Sequence, residues 1–262
     1  MTLISADATE EMLELPWGDV EMLKAGSGNP LLVLHHDIGN PGWLPFYDQL
    51  AQSFTVYVPS HPGFGKSDRP DWARTVRDLA SLYVWLLEEL GLRPLDVCGL
   101  GFGGWIAAEM ATMDHGGFRR QVLVGAAGLQ PTEGEILDQF LVSSTEYVQS
   151  GFSEASKCES IYGAEPDIDQ LEVWEINREM TTRVAWKPYM FNQSLPHLIP
   201  GIKTPTLLVW GKDDRIVPLS CARRYLEGLP NARLEVMEGS GHFVEMERPD
   251  ELAKTIIGFL TD

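Results

Sequence analysis

A hydrophobic run ends in a glycine cluster at Val97-Cys98-Gly99-Leu100-Gly101-Phe102-Gly103-Gly104-Trp105, and an alanine-rich helical pattern begins there. A sharp strand-to-helix turn of this kind is where G-x-S-x-G enzymes raise a serine for nucleophilic attack. The central residue here is Gly101, which has no side chain to attack with. His242 follows Gly239-Ser240-Gly241, a loop with little bulk to bury it. An imidazole so placed can titrate near neutral pH and act as a general base. Two acids, Asp213 and Asp214, follow Gly211-Lys212, and His35-His36-Asp37 closes an apolar run. On an extended chain the adjacent His35 and His36 face opposite ways. No further acid or imidazole stands at ligand spacing from them, which argues against a metal centre.

These residues need a scaffold, and the hydrophobic pattern describes one. Residues 11–25 read as two short strands about a turn at Trp17-Gly18-Asp19. Pro30 to His36 is a continuous apolar run, suited to a strand buried on both faces of a parallel sheet. Further strands are expected at 54–59, 95–100, 120–126, 204–210 and 233–237. Helical periodicity marks 44–51, 76–90, 103–113, 219–229 and 249–260. Between Pro131 and about Pro200 the alternation stops, and amphipathic segments near 134–149, 153–162 and 168–186 replace it. Strands alternating with helices imply right-handed βαβ units and a mostly parallel sheet flanked by helices. Ligands bind such sheets at the carboxyl ends of the strands. The pattern therefore divides into an α/β core, residues 1–130 and 201–262, and a helical lid over that edge, residues 131–200.

Five stretches fall at strand carboxyl ends: His35-His36-Asp37, His61-Pro62-Gly63, Gly99-Leu100-Gly101, Gly211-Lys212-Asp213-Asp214 and Gly239-Ser240-Gly241-His242. In kind and order they resemble the α/β-hydrolase superfamily, in the branch with a helical cap inserted after the sixth strand, over roughly residues 20–260. The resemblance implies an α/β-hydrolase fold without a cofactor. It implies that Asp214, in Trp210-Gly211-Lys212-Asp213-Asp214-Arg215-Ile216-Val217-Pro218, orients His242. Asp213 fits better as a turn acid. It implies an oxyanion hole from two backbone N–H groups, that of Phe102 and, in the loop after the first buried strand, that of Asp37. That loop departs from the family, which has His-Gly where this chain has His35-His36. The His36 side chain either tilts the loop or adds an acid/base group, and an Asp37 carboxylate turned inward would oppose an oxyanion. Alternatively both side chains point away. Of the cap aromatics, Trp186 is a candidate site-lining residue, although core packing accounts for most of that group.

Gly101 sets the chemical problem. Losing the nucleophile of a serine protease costs ~10⁶ in rate, about 8 kcal/mol. Cys98 lies mid-strand, and Ser60 and Ser240 lie off the turn, so none replaces it. The chain reads as a hydrolase of a small carbonyl-bearing substrate (ester, lactone or C–C bond) in which Asp214–His242 activates water, or as a serine hydrolase inactivated at position 101. The alternatives are a ligand-binding protein without turnover and a cofactor-free lyase or isomerase using His242 and His36. Glycine also relieves the backbone strain of such a turn, ~1–3 kcal/mol for other residues.

Bulk composition narrows the partners. With 262 residues, 44% hydrophobic and 22% charged, the chain has the composition of a globular protein. A net charge of −18 repels nucleic-acid phosphate and anionic membranes, leaving a small molecule as the expected partner. No run approaches the ~18 apolar residues of a membrane span. Cys98, Cys158 and Cys221 are odd in number and widely spaced, which fits a reducing, cytoplasmic setting. Met1–Asp7 lacks the basic and apolar regions of a signal peptide.

Overall fold

The computed structural model describes residues 8–262. The absence of a leader, read from Met1–Asp7, falls outside them. Eight strands form one sheet in the order β1-β2-β4-β3-β5-β6-β7-β8. They are β1 (Thr9–Leu15), β2 (Gly18–Ala25), β3 (Asn29–Leu34), β4 (Phe54–Pro59), β5 (Leu95–Leu100), β6 (Phe118–Val124), β7 (Thr206–Gly211) and β8 (Ala232–Met237). β2 is antiparallel to β1 and β4, and all other pairs are parallel.

Ten α-helices accompany the sheet among the described residues. Those outside the segment between β6 and β7 are α1 (Pro45–Ala51), α2 (Val76–Glu89), α3 (Phe102–Met113), α8 (Leu219–Gly228), α9 (Val244–Glu247) and α10 (Pro249–Thr261). Within that segment lie α4 (Ser144–Ser150), α5 (Ala155–Tyr162), α6 (Ile168–Ala185) and α7 (Leu195–Leu198). The period-two alternation of strand side chains feeds two cores. Leu31 and Val33 of β3 pack with Phe46 and Leu50 of α1 and Ile256 of α10. Leu32 and Leu34 pack with Leu79 and Leu86 of α2, Ile106 of α3 and Ala222 of α8 on the other face. Both faces are covered, so β5 and β7 are buried throughout, as their unbroken apolar runs require.

One expected element differs. The helix anticipated over 134–149 is confined to α4, which Ser143 caps by accepting the Glu146 N–H at 3.1 Å. Upstream, backbone donors bond to distant partners: Leu137 N–H to the Ile216 carbonyl at 2.9 Å and Gln139 N–H to the Tyr189 hydroxyl at 2.9 Å. A backbone committed to such partners is not free to form i→i−4 bonds. Among the described residues no helix is long and apolar enough to cross a membrane.

Candidate active site

Gly101 joins the carboxyl end of β5 to the amino end of α3 with φ 51° and ψ −109°, a conformation that favours glycine. Its N–H donates to the Val124 carbonyl at 2.8 Å, and its own carbonyl accepts from Ala127 N–H at 3.1 Å. The turn is thus anchored to the last residue of β6 and to the loop that follows it. A Cβ built on Gly101 would lie 2.8 Å from His242 Nε2, 3.0 Å from His36 Cε1 and closer still to His36 Nδ1. The room that a side chain at position 101 would need is taken by the His36 imidazole.

His242 is placed by the loop after β8. Its backbone N–H donates to the Gly151 carbonyl at 2.7 Å. Its Nδ1–H donates to Asp214 Oδ2 at 2.8 Å, with both side chains buried. The second Asp214 oxygen accepts the backbone N–H groups of Ile216 and Val217 at 2.9 and 2.8 Å, which fixes the carboxylate behind the ring. Burial pushes the imidazole toward its neutral form. The charge and hydrogen bond of Asp214, with the charges of Asp37 and Glu245, outweigh this and hold His242 above the ordinary imidazole value. Asp213, one residue earlier, is exposed.

A second histidine–carboxylate pair faces the first. His36 Nε2 lies 3.2 Å from Glu245 Oε1, and both side chains are buried. The His36 ring sits 4.8 Å from that of His242, tilted by 60°, and meets Phe243 edge-on at 4.9 Å. Both His36 ring nitrogens and both Glu245 oxygens lack a hydrogen-bond partner, so the 3.2 Å approach is a close contact rather than a hydrogen bond. Sequence reasoning missed Glu245. Its signal is its position three residues beyond His242, where the chain enters α9 and i+3 neighbours share a face.

The loop after β3 is shaped by His35 and His61. His35 Nε2 accepts the His61 N–H at 2.9 Å, and His35 Nδ1–H donates to the His36 carbonyl at 2.6 Å. His61 Nε2–H donates to the His35 carbonyl at 2.9 Å, and its Nδ1 accepts the Tyr83 hydroxyl at 2.6 Å. Burial pushes His35 down to about 3 and His61 well below the ordinary imidazole value. Both are neutral, fully bonded supports. Asp37 divides its side chain: Oδ2 accepts the Tyr147 hydroxyl at 2.8 Å, and buried Oδ1 has no partner. Its carbonyl accepts Thr181 Oγ1–H at 3.1 Å, and the Ile38 carbonyl accepts Asn177 Nδ2–H at 2.9 Å. These bonds seat α4 and α6 directly over the loop. Among the described residues neither the Asp37 nor the Phe102 backbone N–H donates to a protein acceptor.

The structure therefore brings Gly101, Phe102, His36, Asp37, Asp214 and His242 together at the strand ends. Of the alternatives left open for residues 36 and 37, the His36 ring points inward and the Asp37 carboxylate is partly tied to Tyr147. Trp186 does not join them, contrary to expectation. It is 51% exposed at the C-terminal end of α6, where its ring packs on Phe140 and Tyr189. Cys98 is wholly buried, and burial, with the charge of Glu245, pushes its thiol far above the usual range. Ser60 bonds Glu21 at 2.7 Å, and Ser240 lies 3.3 Å from Glu247. None of the three can take the place of the absent serine.

A mostly parallel eight-stranded sheet, a strand–turn–helix elbow and a carboxylate–histidine pair at the strand ends define an α/β-hydrolase. The chain belongs to the Alpha/beta hydrolase family, whose model matches residues 31–255. Among its relatives is a 2-hydroxy-6-oxononadienedioate/2-hydroxy-6-oxononatrienedioate hydrolase of Dechloromonas aromatica (strain RCB). It is 26% identical over 97% of this chain and 96% of that protein. The 2-hydroxymuconate semialdehyde hydrolase of Pseudomonas sp. (strain CF600) is 26% identical over 91% and 89%. A bacterial membrane phospholipase A superposes with a TM-score of 0.82 at 22% identity, over 98% of this chain and 86% of that one. A meta-cleavage product hydrolase from Pseudomonas fluorescens IP01 superposes at 0.78 and 20% identity, over 93% and 94%. The expectation of a hydrolase on this fold is borne out at the level of the family.

Proposed function

We propose that this protein hydrolyses a small, largely apolar, carbonyl-bearing compound by direct attack of water, with no acyl-enzyme. The observation that carries the reading is the His242–Asp214 pair. Its Nδ1–Oδ2 bond of 2.8 Å leaves Nε2 as the free acceptor, 2.8 Å from where a Cβ at position 101 would stand. A water hydrogen-bonded to Nε2 loses a proton to it, its oxygen bonds to the carbonyl carbon, and the N–H groups of Phe102 and Asp37 receive the developing oxyanion. Collapse of the adduct expels an alcohol from an ester or lactone, or a carbanion from a C–C substrate. Relatives named as hydrolases of 2-hydroxy-6-oxononadienedioate and of 2-hydroxymuconate semialdehyde, compounds that carry no ester, favour the last class.

Residues 131–200 act as a cap that closes this site, and α4 and α6 contribute Tyr147, Asn177 and Thr181 to its roof. Three free, buried cysteines fit a cytoplasmic protein. Position 36 departs from the family as well as position 101, which argues against a serine hydrolase disabled at a single site. A ligand-binding protein without turnover is the second reading. It is favoured by the burial of His36 and His242, which are 2% and 1% exposed. Turnover of phenyl and p-nitrophenyl acetate, measured beside His242→Ala, decides. A loss of ~10²–10⁴-fold in kcat is expected; turnover unchanged by the substitution would overturn water activation.

A further inference from the structure

The His36–Glu245 pair has no role in a family mechanism that uses a single histidine, yet it occupies the centre of the site. Glu245 is a carboxylate with 1% exposure, and neither oxygen is hydrogen-bonded. A buried carboxyl group without a hydrogen-bond partner is costly, and His36 Nε2 stands 3.2 Å from Glu245 Oε1. With Nε2 turned to Glu245, the other ring nitrogen is the one that faces the space over Gly101. His242 Nε2 faces the same space from the second pair.

We infer that His36 is the general acid of the reaction and Glu245 its positioning residue, so that one histidine takes a proton from water while the other gives a proton to the leaving group. This inference rests on the hydrolase reading above. The balance is complete. The water oxygen bonds to the carbonyl carbon, and the water proton goes to His242 Nε2. The bond from that carbon to the leaving atom breaks, and the Nδ1 proton of His36 goes to the leaving atom. The proton on His242 then returns to His36 across the shared space, and the product acid and alcohol depart.

A serine enzyme uses one histidine first as base and then as acid, the two events being separated by a tetrahedral adduct. Direct attack by water passes through such an adduct too, and a second imidazole divides the two proton transfers between two rings. The ring that supplies it fills the volume the serine side chain would take. Losing the serine and gaining the acid are thus one spatial exchange.

The test is the dependence of kcat on the leaving group. p-Nitrophenolate leaves without protonation, whereas an ethoxide needs it. His36→Ala should lower turnover of ethyl acetate by ~10²-fold or more while lowering that of p-nitrophenyl acetate by less than ~10-fold. Added imidazole should restore the ethyl ester, and pyrazole, of similar size but far weaker basicity, should not. Glu245→Gln should shift the same ratio in the same direction, and it serves as the second variant if His36→Ala does not fold. Equal losses on both esters, or no loss, would overturn the inference. So would an acyl adduct on His36 detected by mass spectrometry, which would make the ring a nucleophile. Turnover that survives His242→Ala would instead bring down the underlying hydrolase reading.

Discussion

The imidazole of His36 stands in the volume that a side chain on Gly101 would enter: a Cβ there would lie 3.0 Å from its Cε1 and nearer to its Nδ1. Each residue accounts for the other. A ring at position 36 requires glycine at 101, and glycine at 101 makes room for the ring.

Restoring serine alone should therefore fail. Gly101→Ser places a side chain at φ 51°, a strain of ~1–3 kcal/mol, and drives it into His36. Calorimetry should show Tm lowered by about 2–10 °C, and a fluorophosphonate should leave no adduct. Combined with His36→Gly, which vacates the ring, the serine should react with the phosphonate and give a burst of p-nitrophenol. A single Gly101→Ser variant that labels fully would show that the ring yields freely.

The two adjacent acids should separate cleanly. Asp214→Asn removes the charge behind His242 and offers a donor where Nδ1–H needs an acceptor, so kcat should fall by ~10²–10⁴-fold. Asp213→Asn, at an exposed turn position, should change kcat by less than about twofold, as surface substitutions do. Comparable losses in both would reassign the orienting acid.

Activity and stability should respond to pH in opposite directions through His242. The ring acts as a base only when neutral. Because it is held above the ordinary imidazole value, the rise of kcat with pH should be centred above about 6.5. A folded-state value raised above the unfolded one stabilises the protein fully below about 6.5, and that contribution is lost as pH rises through the folded value. Paired pH profiles of kcat and of the urea midpoint check both signs. An acid limb centred below 6.5 would contradict the environment described for His242.

Asn177 and Thr181 should act as latches between α6 and the loop that carries Asp37. Asn177→Ala and Thr181→Val each remove one hydrogen bond to a loop carbonyl, a loss of about 1 kcal/mol. Hydrogen–deuterium exchange should quicken in residues 168–185 and 35–40 while β5 and β7 stay protected. Exchange rising equally across the sheet would indicate global destabilisation instead.

Much of this protein is legible in its sequence, because local patterns carry it. The apolar runs at Leu31–Leu34 and Leu95–Leu100 report strands buried on both faces. The spacing of Leu79, Leu82 and Leu86 reports a helix with one buried side. The order of glycine turn, acid and histidine reports the site, since each member closes its own strand. What only the tertiary structure decided are the relations between distant segments. Residues 131–143 carry a helical pattern, but their backbone donors are claimed by Ile216 and Tyr189. Trp186 ends a helix over the site yet turns outward. Glu245 acquires meaning because His36, more than two hundred positions earlier, lies beside it. Position 101 is glycine in the sequence; that an imidazole from another loop fills the space above it depends on how β3 and β5 pair, as neighbours in register that bring both loops to one edge.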